Sequence, residues 1–218
     1  ASVTNDDKKG YVLFGGYRMG NVYGAGKGST NAVFSGLVKG NTNVNISSAG
    51  AVSGEPFIYH NVYGGGALGD VGTYTYNNTT KAYTWDKVNN VETGDCHVTV
   101  NGGTIAGYVY GAGKGIANTF ECEKALVRTT DVSINAGTVN HNVYGGGEIG
   151  RVDQDTKVTL GAETGTSGGE DAIIVGEVFG AGKGLETHGY SALVRGNAEV
   201  IAQGNATVGG SVYGGGEI

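Results

Sequence analysis

The chain repeats itself. Val22-Tyr23-Gly24-Ala25-Gly26-Lys27-Gly28 returns at Val109–Gly115, and again at Val178–Gly184 with Phe179 in the tyrosine's place. Between these copies runs a second version, Val143-Tyr144-Gly145-Gly146-Gly147-Glu148-Ile149-Gly150, also found from Val62 to Gly69 and from Val212 to Ile218. The motif valines stand at 22, 62, 109, 143, 178 and 212, so the spacings are 40, 47, 34, 35 and 34, and the two versions alternate without exception. Such units stack, each burying its apolar side against the next.

A second landmark keeps the same register. Leu37-Val38-Lys39, Leu126-Val127-Arg128 and Leu193-Val194-Arg195 each follow a Gly-Ala-Gly copy, their valines lying 16 to 18 residues past the motif valine. Short alternating runs such as Val98-Thr99-Val100 and Val132-Ser133-Ile134 come next. Period-two alternation, β-branched residues and glycine punctuation read as short strands. Glycine supplies 44 of the 218 residues and proline one, without a Gly-X-Y period, which excludes collagen. Val, Ile, Leu and 13 Tyr recur throughout, which speaks against a disordered linker. No apolar run is long enough for a membrane helix, so no membrane insertion is expected.

These features predict an all-β chain: a parallel β-solenoid of about six stacked units, with a propeller or an antiparallel β-prism as the competing architectures. Residues 1–20 read as a separate strand segment and 21–218 as the six-unit array. An insertion near 72–93 accounts for the 47-residue spacing, and its Thr75–Thr80 part predicts a projecting β-hairpin.

Several positions are candidates for assembly. Five residues after each motif valine the series reads Lys27, Ala67, Lys114, Glu148, Lys183, Glu217. Stacked in order, the last four form a column of alternating sign, and Lys27 of another copy would continue it beyond Glu217. Leu13-Phe14-Gly15-Gly16-Tyr17-Arg18-Met19-Gly20 matches the second motif version, yet only Asn21 separates it from Val22. That stray copy (Leu13, Phe14, Tyr17, Met19) reads as a cap or as a strand exchanged with another molecule. Tyr23, Tyr63, Tyr110, Tyr144, Phe179 and Tyr213 follow the valines and so face the other side of the strand. They form either an exposed stripe for stacking on sugars or a second core layer. Cys96 and Cys122 are the only cysteines; they read as one disulfide or as two buried thiols.

Chemistry is otherwise sparse. Gly-Ala-Gly-Lys-Gly-Ser at 24–29 lacks the Lys-Ser/Thr step of a phosphate loop. Asp70, Asp131, Asp153, Asp155 and Asp171 do not recur in register, as paired acids of a polysaccharide enzyme would. Neither catalytic residues, cofactor nor metal is expected. The net charge of −6 and the lack of a basic stripe argue against nucleic acid.

The alternating Val-Tyr-Gly-Gly-Gly-Glu-Ile-Gly and Val-Tyr-Gly-Ala-Gly-Lys-Gly units resemble the glycine-rich repeat regions of large secreted or surface proteins of Bacteroidota-type bacteria, described as adhesin-like. The resemblance runs from about Leu13 onward. It implies an extracellular or cell-surface location and a structural or adhesive, non-enzymatic role. The expected function is head-to-tail self-association into a fibre or an adhesin stalk. The alternative is a module that binds polysaccharide or host glycan through the aromatic stripe.

Overall fold

The computed structural model describes residues 20–32, 34–47, 55–117, 124–162 and 171–218. Among them there is no helix. The described chain is all-β, built mostly of parallel strands. The first sheet consists of the six motif strands alone: Val22–Tyr23, Val62–Tyr63, Val109–Tyr110, Val143–Tyr144, Val178–Phe179 and Val212–Tyr213. They lie side by side in sequence order, every pair parallel, each valine opposite the next valine. Identical residues in identical register need no adjustment of side-chain shape from strand to strand.

The second sheet follows the same order. Asp95–Ile105 pairs in parallel with Thr42–Ser47 and Phe57–Ile58 on one side and with Thr129–Val139 on the other. Thr129–Val139 then pairs with Thr156–Leu160 and Ala172–Ile174, which pair with Ala198–Ala202 and Thr207–Val208. Between the two sheets lies a column of single bridges, Val38 to Val71, Val127 to Val152 and Val152 to Val194. The Leu-Val-Lys/Arg landmark is therefore one half of a column. Val71 and Val152 supply the other half, and no leucine precedes them to signal it.

The core sits where the motif valines meet the inner face of the long strands. Val62, Val109, Val143 and Val178 pack with Val98, Val100, Ile105, Val132, Ile134, Val139, Val158 and Leu160, all at 0% exposure. Alternation along Thr129–Val139 puts Thr130, Val132 and Ile134 inward. Buried threonines close the rim: Thr42, Thr130 and Thr156 donate to the carbonyls of Gly64, Gly145 and Gly180 at 2.7, 2.6 and 2.6 Å. Each such bond contributes about 1 kcal/mol net, and leaving the carbonyl unpaired would cost more.

Glycine is required in the motif because the strands come too close for anything else. A Cβ on Gly24, Gly64, Gly111 or Gly145 would stand 2.1 Å from the carbonyl oxygen of the next motif's glycine. That oxygen belongs to backbone held on both sides, so it cannot yield. The fourth motif position explains the two versions. Ala112 is fully buried, whereas a Cβ on Gly65 or Gly146 would lie 2.8 or 2.7 Å from the amide nitrogen of Gly113 or Gly182. At the second and fourth motifs, then, only glycine fits.

The insertion forms two hairpins. Tyr74–Asn77 pairs antiparallel with Ala82–Trp85, as expected around Thr75–Thr80, and a smaller hairpin joins Lys87–Val88 to Val91–Glu92. Asn89 and Asn90 between the small strands both have positive φ, 52° and 63°, the conformation of a type I′ turn.

Candidate assembly interface

The aromatic residues form one continuous column. Ring centroids are 4.7 Å apart for Tyr23–Tyr63, 5.0 Å for Tyr63–Tyr110, 4.8 Å for Tyr110–Tyr144, 5.1 Å for Tyr144–Phe179 and 4.8 Å for Phe179–Tyr213. Interplanar angles stay between 6° and 11° across these pairs. Tyr63, Tyr110, Tyr144 and Phe179 are buried, in a cluster separate from the valine core. The exposed-stripe expectation is thus corrected: the inner rings cover each other's faces and are a second core layer. Tyr23 at one end of the column is half-buried, and Tyr213 at the other is 44% exposed.

The charged position departs from the simple alternating column. Its backbone does stack in order: Lys114 donates its N–H to Gly66, Glu148 to Gly113, Lys183 to Gly147 and Glu217 to Gly182. The side chains then part company. Lys183 and Glu217 pair at 3.6 Å, each about one-third exposed. Glu148 does not pair with a neighbouring lysine among the described residues; its carboxylate accepts the hydroxyl proton of Tyr63, two motifs earlier. Glu217 accepts from Tyr144 in the same way, again two motifs back. Lys183 also sits 5.1 Å over the ring of Tyr108, which stacks on His141. Lys27 and Lys114 are exposed.

An asparagine orients each tyrosine. Asn61 and Asn142 stand two residues before Tyr63 and Tyr144, and each donates its Nδ2–H to the phenol oxygen at 3.0 Å. With its oxygen so occupied, the phenol directs its own proton to the carboxylate. The other face of the amide is used as well, since Asn61 accepts from the N–H of Tyr108 and Asn142 from that of Glu177, both at 3.0 Å. Burial first, and then the bond to the carboxylate, holds the Tyr63 and Tyr144 phenols well above their ordinary pKa. Tyr110 is raised too, by burial and then by the charge of Glu148.

The hairpin is bound along the flank of the stack. The Trp85 ring lies against Gly72 and Gly94, whose φ values are +85° and +107°, and a Cβ on either would meet the ring at 2.7 or 2.6 Å. Trp85 Nε1–H donates to Asp153 at 2.7 Å, and Arg195 donates to the Lys81 carbonyl at 2.6 Å while lying 5.6 Å from the Tyr83 ring. The insertion after the second motif therefore reaches the fourth and fifth.

The scattered acids have structural partners. Asp70 accepts from Leu126 N–H and Tyr74 hydroxyl, its pKa raised mainly by burial, and Asp155 accepts from Asn197 N–H. Asp95 pairs with Arg128 at 2.7 Å. Among the described residues no group of three His, Cys, Asp or Glu is placed to hold a metal ion, and no helix is long and apolar enough to cross a membrane.

Cys96 is a free, wholly buried thiol. It occupies the place that Thr42 and Thr130 hold in the flanking strands, and burial pushes its pKa up to about 12. Cys122 lies outside the described residues, as do Leu13, Phe14, Tyr17 and Met19 of the stray motif copy.

The sixth motif forms one edge of the first sheet. Val212 and Ile218 are 48% and 74% exposed, where Val62, Val109, Val143 and Val178 are at 0%. In the fifth motif the N–H groups of Val178, Gly180 and Ala181 donate forward to Ser211, Tyr213 and Gly215 at 3.0, 2.8 and 3.0 Å. The same register turns Val212, Gly214 and Gly215 N–H toward the open side. No family model, no curated protein and no solved structure matches the chain.

Proposed function

We propose that this chain is a β-solenoid segment of a secreted or cell-surface, adhesin-like protein. Its role is structural and non-catalytic: it associates head to tail into a fibre, or forms the stalk that carries an adhesin. The observation that carries the reading is the register of the first sheet. Six motifs pair in chain order without slipping, and each repeat adds a strand to the second sheet too, as a coil wound from stacked turns requires. A further motif of the same kind would take the next place in that register, and in a second copy joined there Lys27 would stand next to Glu217. Parallel strand edges favour strand addition of this kind. No cofactor, nucleic acid or inserted membrane segment enters this function.

The glycan-binding alternative loses its main support, because the inner rings of the aromatic column are face to face with each other. Negative-stain microscopy combined with sedimentation over a concentration series tests the proposal. Filaments whose axial repeat is about 30 Å, six strands at roughly 4.8 Å, are expected. Monodisperse particles at every concentration, together with retardation in a gel containing polysaccharide, would overturn it in favour of a binding module.

A further inference from the structure

The two motif versions differ in more than the sign of one residue. Gly-Gly-Gly copies supply both bonded sets of asparagine, tyrosine hydroxyl and carboxylate seen among the described residues, Asn61–Tyr63–Glu148 and Asn142–Tyr144–Glu217. Each chain of bonds begins in one Gly-Gly-Gly copy and ends in the next, crossing over the Gly-Ala-Gly copy between them. That intervening version does not depend on the hydroxyl, since Phe179 replaces tyrosine there and stacks at the same spacing. The fourth motif position alternates with the same period, alanine in one version and glycine in the other.

We propose that this protein stacks by pairs of motifs, and that Glu148 and Glu217, each captured by the tyrosine two motifs earlier, are the residues that enforce the pairing. A strand shifted by one motif would still place valine on valine and, outside the alternating fourth and seventh positions, glycine on glycine. It would, however, bring a lysine to the phenol in place of the carboxylate. The phenol oxygen is already taken by asparagine, and an ammonium group, a donor only, leaves the phenol proton without an acceptor. Adjacent Lys–Glu attraction at partly exposed positions is too weak and too screened to select the register by itself. One internal coincidence agrees. Ala67 stands where the carboxylate should be, and two motifs earlier in the sequence the tyrosine's place is held by Phe14, which has no hydroxyl to offer.

The inference extends the head-to-tail reading and in that part rests on it. A second copy joined at the sixth motif through its first motif would present Ala67 to Tyr213, so the junction would lack the bond that every interior pair of Gly-Gly-Gly motifs has. Junctions should then be the points where a fibre parts.

Two measurements on the full chain test this. In thermal unfolding, Glu148→Lys is expected to lower the melting temperature several times more than Lys114→Glu, although both disturb the alternation of sign equally. Glu148→Gln, which keeps an acceptor oxygen, should recover much of the loss, and Tyr63→Phe should add little to Glu148→Ala. Equal losses for the two charge reversals, or full additivity of Tyr63→Phe and Glu148→Ala, would overturn the pairing. In the assembly arm, Ala67→Glu is expected to lower the concentration at which filaments appear by about tenfold. Filaments unchanged by Ala67→Glu would overturn the junction inference while leaving head-to-tail assembly in place. Absence of filaments from both proteins would instead overturn the head-to-tail reading, and the unfolding comparison alone would decide the pairing.

Discussion

The motif sheet and the hairpin insertion bury their side chains by opposite means. In the motif sheet nothing is unique: the same valine, ring and glycine recur at one-strand intervals, and each residue's neighbours are its own counterparts. The hairpin has no counterpart among the described residues. Its anchor Trp85 is held by partners that are single occurrences, Gly72, Gly94 and Asp153, and Arg195 reaches its tip at Lys81. Repetition makes the first region cooperative, because a defect in one strand is felt by both neighbours. Uniqueness makes the second region a clamp, which ties the second motif's insertion to the fourth and fifth motifs.

The sharpest way to break the repeated region is to add one carbon to it. Gly111→Ala places a Cβ 2.1 Å from the Gly145 carbonyl oxygen, with Thr130 and Val132 also inside 3 Å or at it. A loss of more than about 3 kcal/mol is expected, above the usual range for an overpacked core, because backbone on both sides must move. Urea unfolding followed by far-ultraviolet circular dichroism measures it. The reverse change at the next position, Ala112→Gly, should cost only about 1 kcal/mol. Similar losses for the two would mean that the strands do not approach as closely as described.

The clamp should be next in size. Trp85→Ala removes a buried ring and leaves Asp153 with only its longer contact to Arg195 at 3.5 Å, for a loss of about 3–5 kcal/mol. The loss should be accompanied by protease cleavage within 74–92, followed by mass spectrometry. Gly111→Ala, by contrast, should expose the whole chain to cleavage, because the motif sheet unfolds as one body. A Trp85→Ala protein that unfolds globally with no selective cleavage would show that hairpin and sheet are one cooperative unit.

Alkaline pH loads the motif sheet more gently than a substitution. The Tyr63 and Tyr144 phenols have folded pKa values raised above 10.0, so the folded state favours their neutral form. Their contribution is fully present below pH 10 and is lost as pH rises above it toward the folded values. Stability should therefore fall above pH 10, and less steeply in the Tyr63→Phe, Tyr144→Phe double variant, as read from melting temperatures between pH 8 and 11. An unaltered slope would remove these two phenols from the account.

Two smaller effects complete the comparison. Cys96 should resist alkylation by iodoacetamide at pH 8 in the folded protein and react readily in urea, since burial holds the thiol neutral. Rapid modification of the folded state would contradict its place in the threonine column. The Lys183–Glu217 pair is partly exposed, and Lys183→Ala should change stability by less than about 1 kcal/mol, with the difference fading in high salt.

Much of this was readable in the residues. The period, the alternation of two motif versions, the valine column and the hairpin at 74–85 all follow from spacing and residue type, because a repeated sequence admits few environments. The opposite facing of valines and aromatics follows from the period of two. Whether the rings met solvent or one another did not follow, since period two assigns a face without saying what covers it. The charged column was placed in the right order, and Lys183 does pair with Glu217. Glu148 and Glu217 also bond tyrosines two motifs back, because side chains as long as glutamate reach past the adjacent strand. The asparagines gave no clear signal for that longer reach, because Asn21 precedes a Gly-Ala-Gly copy as well and Ser211 precedes the sixth motif. Val71 and Val152 lacked the leucine that marks their counterparts, and Trp85 lies in an insertion where no repeat constrains it.

The sequence by itself determined that the chain is built of short β-strands in repeated register, and where each unit begins. It determined this because hydrophobic alternation and glycine placement are local properties that recur with the period. Only the tertiary structure decided that the glycines stand 2.1 Å from a neighbour's oxygen if given a Cβ, and that the rings bury one another. It alone decided that Glu148 and Glu217 answer to tyrosines two motifs away. These are distances between strands remote in sequence, and such distances exist only once the strands are stacked.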